Sequence, residues 1–190
     1  QEQFLRMMKA LYPNQPHPDV ANSLNDVGMA YYALGEVKKG LEYQEQALEM
    51  TKALYPDRPH PNVAISLNNV STAYYTLGKV KKGLEYQEQA LEMMKILYFN
   101  QPHLNLATSL CNVGITYQAL GEVKKGLEYK EQSLKMMKSL YPNQPHPDTA
   151  TSLSSVGNAY KVLGEVKKGL EYQEQALSMR RQLYSDQPHP

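Results

Sequence analysis

The 190 residues carry 20 lysines and arginines against 19 aspartates and glutamates, a net charge of +1, so no broad field favours nucleic acid or an anionic membrane surface. At 42% apolar and 21% charged the chain can bury a core, yet it has no run of eighteen apolar residues to span a bilayer and no charged-then-apolar leader. The single cysteine, Cys111, excludes an internal disulfide framework and a thiolate-rich zinc site, and it fits a reducing, cytoplasmic compartment; Gln1 in place of an initiator methionine leaves signals outside these residues open.

Read in chain order, residues 1–11 have the pattern of the second half of a unit, because Gln1 to Leu11 aligns with Gln44 to Leu54. Pro18 to Leu34 is predicted as helix A, from Leu24, Val27, Gly28, Tyr31 and Leu34 at spacings of three and four. Pro18-Asp19 suits a first helical turn, where proline loses no hydrogen bond and an acid meets the positive dipole end, and Gly35 ends the helix. Helix B is predicted from about Glu36 to Tyr55, stopped by Pro56, Pro59 and Pro61. Both helices then recur: Leu-Tyr at Leu11 returns at Leu54, Leu97, Leu140 and Leu183, and Leu34-Gly35 returns at Leu77, Leu120 and Leu163, always 43 residues on. The chain therefore divides into a half repeat and loop (1–17) and four repeats, 18–60, 61–103, 104–146 and 147–190, the last with a trailing loop. Two antiparallel helices on so short a turn cannot bury their apolar stripes alone, so the units must stack and share a core.

A helical wheel separates two stripes on helix A. Leu24, Val27, Gly28 and Tyr31 fall on one. Asn22, Asn25, Asp26, Met29, Tyr32 and Ala33 fall on the other, and its later equivalents include Ile65, Asn68, Asn69, Thr72 and Tyr75, then Thr108, Cys111, Asn112, Ile115 and Gln118, then Ser154, Ser155, Asn158 and Lys161. Helix B is almost letter-identical between units whereas this second stripe varies, a contrast that suits a fixed scaffold with a varied reading face and equally suits duplication followed by drift.

The pattern His60-Pro61-Asn62-Val63-Ala64, Leu67-Asn68-Asn69-Val70, Ala73-Tyr74, Leu77-Gly78 and Gln89-Ala90-Leu91 resembles the tetratricopeptide repeat, and among its members the long-helix kinesin light chain and nephrocystin-like subgroup. The resemblance implies an all-α solenoid, a right-handed superhelix of antiparallel helix pairs. It implies a scaffold that holds a protein partner's extended segment in a concave groove lined by helix A. Asn22, Asn25, Asp26, Met29, Tyr32, Asn68, Asn69, Thr72, Tyr75, Asn112, Ile115, Gln118, Asn158 and Lys161 would form that groove. A carboxamide there can satisfy a peptide group in either orientation. The alternative implied by nephrocystin-like layouts is a regulatory array beside a catalytic or nucleotide-binding domain outside these residues. The chain departs from the family where glycine replaces the usual alanine (Gly40, Gly83, Gly126, Gly169) and where Gln44, Gln87, Lys130 and Gln173 replace a large apolar residue. Alanine at those glycines is expected to be neutral or stabilising, and Tyr43, Tyr86, Tyr129 and Tyr172 are expected to take over the packing.

Other constellations carry less. His17, His60, His103, His146 and His189 form a column whose members stand on the order of 10 Å apart, too far for one metal site, so they are read as loop anchors beside helix A. The lysine pairs beginning at Lys38, Lys81, Lys124 and Lys167 alternate with glutamates and read as a solvated face. Cys111 has no acid–base partner, and no phosphate loop, nucleotide fingerprint or hydrolase motif is present, so neither an enzyme nor a cofactor is expected. All 15 tyrosines fall into repeat columns, which favours packing over a stacking platform for bases. Neither end supplies a polar cap, so Leu177 and Leu183 on the last helix B are expected to mediate end-to-end association.

Overall fold

The computed structural model describes residues 1–13, 15–56 and 58–184. Within them lie nine α-helices and no strand: α1 (Glu2–Leu11), α2 (Pro18–Ala33), α3 (Val37–Leu54), α4 (Pro61–Thr76), α5 (Val80–Leu97), α6 (Leu104–Ala119), α7 (Val123–Leu140), α8 (Pro147–Val162) and α9 (Val166–Leu183). They form two compact units, Gln1–Leu97 and Tyr98–Pro190. The first holds the half repeat and two helix pairs, the second two further pairs.

Each helix A begins and ends by local chemistry. The Nδ1 atoms of His17, His60, His103 and His146 accept the backbone N–H two residues on, at 3.1–3.2 Å, so the histidine is the N-cap. Each imidazole also stacks on the tyrosine five residues earlier, with ring centroids 3.4–3.5 Å apart, which fixes the loop against the end of the preceding helix. The loop-anchor reading holds for these four; His189 lies outside the described residues. At the other end Gly35 takes φ +80° and donates to the Tyr32 carbonyl while Glu36 donates to the Tyr31 carbonyl, a paired closure that needs a left-handed residue between helices. The helix pair is thus turned within three residues.

Within each unit a helix A is wedged between two B helices: α2 between α1 and α3, α4 between α3 and α5, and α8 between α7 and α9. In the first unit Leu5 and Met8 of α1, Val20, Leu24 and Val27 of α2 and Ala47 of α3 share one core. In the second, Leu127 and Leu134 of α7 meet Leu153, Val156 and Tyr160 of α8 and Ala176 of α9. The wedge is pinned across the junction by phenols: Tyr31, Tyr74 and Tyr160 donate to Glu2, Glu45 and Glu131 of the preceding helix B. On its own helix B each of these tyrosines stacks on Tyr43, Tyr86 or Tyr172 with centroids 5.5 Å apart. Lys39, Lys82 and Lys168, the second members of three lysine pairs, lie 3.9–4.3 Å over the same phenol rings. In α9 Leu177 is 47% exposed, against 5% for its equivalent Leu134 in α7.

One expectation about packing fails. A Cβ at Gly40 would lie 2.7 Å from the Gly28 carbonyl oxygen, one at Gly126 2.5 Å from that of Gly114, and one at Gly169 2.8 Å from that of Gly157. The paired helices touch backbone to backbone, so alanine is not neutral there. Tyr43 and Tyr172 do pack against the core, as expected. They and Tyr86 and Tyr129 also stack on the helix A tyrosines, while Gln44, Gln87 and Lys130 themselves point inward and are buried. Gly83 faces Ser71 in place of a glycine and has more room, its nearest approach being 3.0 Å. In urea melts Gly40→Ala and Gly126→Ala should each cost about 1–3 kcal/mol, and Gly83→Ala clearly less. Equal losses at all three sites would contradict the backbone-contact explanation.

Candidate peptide-binding face

With two sides of α2, α4 and α8 occupied by B helices, one stripe of each remains outward, and α6 carries the equivalent stripe. Every residue assigned to the face from the sequence is exposed or half-buried there: Asn22, Asn25, Asp26, Met29 and Tyr32 on α2, Asn68, Asn69, Thr72 and Tyr75 on α4, Asn112, Ile115 and Gln118 on α6, Asn158 and Lys161 on α8.

In the first unit α2 and α4 bring these side chains together. Asn69 Nδ2 donates to Asn25 Oδ1 at 2.6 Å, and the Tyr32 and Thr76 hydroxyls are 2.8 Å apart. The carboxamide bond uses only part of what two such groups can offer, since each carries two donors and an acceptor. Thr72 turns its hydroxyl back to the Asn68 carbonyl. Around them Met29, Ile65 and Tyr75 stand exposed, apolar groups with room for a partner's side chains.

The second unit differs in chemistry. Cys111 Sγ lies 3.8 Å from Ser155 Oγ, and Gln173 Nε2 donates to Asn158 Oδ1 and the Ser154 carbonyl, each at 3.0 Å. Ile115 supplies the exposed apolar group. Burial pushes the Cys111 thiol up, against the pull of Ser155 and Lys130, which keeps it a thiol and argues against a nucleophile. Beneath the face Lys130 is buried and donates to Gln118 Oε1.

Sequence reasoning misses this underlayer. Gln44 reaches Met29 Sδ at 3.6 Å, Lys130 reaches Gln118 and Gln173 reaches Asn158, so the polar column of helix B supports the stripe of helix A from below. The signal is present as a departure from an apolar column; what it lacks is the direction in which those side chains point. Among the described residues no group of three or more His, Cys, Asp or Glu is placed to hold a metal ion, and no helix is long and apolar enough to cross a membrane.

Lys130 allows a test of this buried column. Desolvation holds its ammonium below the usual lysine range. The unfolded chain therefore binds more protons between the folded value and about 10.4, so this group's contribution to stability rises with pH through that window and is lost as pH falls through the folded value. Lys130→Gln, which copies Gln44 and Gln87, should remove that rise and be neutral or stabilising by up to about 1–2 kcal/mol at pH 7. Urea melts of both proteins at pH 7 and pH 9.5 decide; a wild-type chain that weakens relative to the variant on alkalinisation would contradict the assignment.

A tetratricopeptide-repeat profile matches residues 19–96 and 64–139, and a second profile of the same description matches 149–190. Among curated proteins there is no match. Solved structures share the fold. BtubC (BKLC) from P. vanneervenii superposes with a TM-score of 0.85 at 23% identity, over 100% of this chain and 75% of that one. A putative kinesin light chain from Podosopora anserina with nearly identical TPR-like repeats gives 0.79 at 24% identity, over 96% and 84%. The apo form of RapI gives 0.79 at 17%, over 94% and 62%. At such identities the likeness speaks for the fold alone, an all-α repeat solenoid resembling kinesin light chain. With most of its length matched by the family's profiles, the chain belongs to the tetratricopeptide repeat family.

Proposed function

We propose that the chain is a protein-interaction scaffold in which the outward faces of the A helices bind an extended segment of a partner. Repeats of this family are in general protein–protein interaction modules and typically non-catalytic. The observation that carries the finer reading is the face of the first unit: carboxamides linked from one A helix to the next, bordered by exposed Met29, Ile65 and Tyr75. A purely solvated stripe would not need three large apolar groups in the open. An extended backbone can exchange hydrogen bonds with Asn25, Asn68 and Asn69 on the face of the first unit, while its side chains rest on the apolar groups there. The second unit, with Lys161 exposed and no acid in its assigned stripe, offers a face of different chemistry.

Each such hydrogen bond adds about 0.5–1.5 kcal/mol, so affinity for a short ligand should be modest, on the order of micromolar. A ligand selected from a random peptide library for the first unit's face should bind Asn68→Ala combined with Asn69→Ala at least tenfold more weakly, with helical content and Tm nearly unchanged. Binding that survives this pair, or that is abolished by Lys38→Ala with Lys81→Ala on helix B, would place recognition elsewhere.

A further inference from the structure

Beneath the face of the first unit, hydrogen-bond acceptors stand without donors. The Gln44 side chain of α3 passes over Gly28, where a Cβ would lie 2.8 Å from its Cγ, and ends under Met29. Its Nε2 donates to Met29 Sδ at 3.6 Å, a weak acceptor, while its Oε1 is buried and meets no donor. Gln87 of α5, one repeat on, likewise keeps a buried Oε1 without a donor. Both residues are more than nine-tenths buried, at 2% and 8% exposed. Exchanging the oxygen and nitrogen of Gln44 does not help, because it sets the oxygen against the sulfur and leaves the amino group unmet instead. A buried carbonyl without a donor costs stability. Two of them in successive repeats point to donors brought from outside.

The charge on this face has the matching sign. Neither α2 nor α4 contains a lysine or arginine, and Asp26 is the one charged group of the stripe they carry. It is exposed and enters none of the ion pairs among the described residues. Lys39 and Lys82, on the supporting B helices, lie over the Tyr31 and Tyr74 rings at 3.9 and 4.3 Å. Asp26, Met29 and Tyr32 follow one another at i, i+3 and i+6 and so share one side of α2. Met29, exposed and unbranched, can swing aside and uncover Gln44 without moving the helix. In the next repeat Thr72 takes the place of Met29, with its proton committed to the Asn68 carbonyl and so not available to Gln87.

We propose that the first unit's face selects a basic segment, with an arginine side chain of the partner inserted beside Met29, bonded to Gln44 Oε1 and facing the Asp26 carboxylate. Arginine fits better than lysine, because its planar fork of five N–H donors can serve a carbonyl oxygen and a carboxylate together and can lie on the Tyr32 ring. Gln87 Oε1 offers the same segment a second acceptor one repeat further on. The proposal rests on the reading of the A-helix face as a peptide site, and the experiment separates the two.

Peptides from a random library are selected on the whole chain, and those whose binding falls with Asn68→Ala plus Asn69→Ala are ligands of this face. They should share an arginine and bind more weakly as salt rises. Replacing that arginine by glutamine should weaken binding to the wild type roughly tenfold, and to Asp26→Asn combined with Gln44→Leu less than about threefold. Asp26→Asn alone, a change at an exposed position, should give an intermediate effect and stands in if Gln44→Leu disturbs the packing. Ligands of this face with no excess of basic residues, or an arginine whose replacement has the same effect in wild type and in the variants, would overturn the proposal and leave the peptide-binding reading standing. Selected peptides indifferent to Asn68 and Asn69 would overturn both.

Discussion

The structure depends on helix A being held from both sides. A single helix pair leaves the face of helix B carrying Leu41 and Leu48 uncovered, and the next helix A closes it; both leucines are buried where α4 packs on α3. The tyrosine that closes the helix A turn also crosses that junction, its phenol donating to the glutamate of the preceding helix B and its ring stacking on a tyrosine of its own. One side chain thus belongs to three helices. A partly buried phenol bonded to a carboxylate is a charge-assisted contact, stronger than a neutral one, and it fixes orientation as well as energy.

This constraint sets which faces of the helices are free. Once two faces of helix A are committed to B helices and its ends to caps, only the outward stripe can change without disturbing the stack. Helix B has no such freedom: its glycine touches the backbone of helix A, its leucines fill the junction and its lysine covers a tyrosine ring.

The sequence revealed what local rules determine. The period of 43, the proline at the helix start, the glycine after the helix end and the role of the histidines as anchors all follow from short-range chemistry, and the wheel placed each assigned face residue outward. What it concealed depends on the distance and rotation between helices. Whether Gly40 tolerates a methyl group turns on an interaxial approach of a few tenths of an ångström. Lys130 is buried although its type predicts exposure, because the backbone spacing beside Gly126 draws that turn of α7 inward. The Asn69 to Asn25 bond needs the relative rotation of two A helices, which no single repeat encodes. A reading of periodicity can assign a face but not the contacts made across it.

The most direct test of the wedge is a double-mutant cycle on one clasp. Glu45→Gln, Tyr74→Phe and the pair would be compared in urea melts, with Glu131→Gln and Tyr160→Phe repeating the cycle in the second unit. If the phenol–carboxylate contact holds neighbouring repeats together, each cycle gives a coupling of about 1.5–3 kcal/mol, as expected for a hydrogen bond to a charged group. Strictly additive losses in both units would contradict the account, since they would mean that the repeats stack without the contact that spans them.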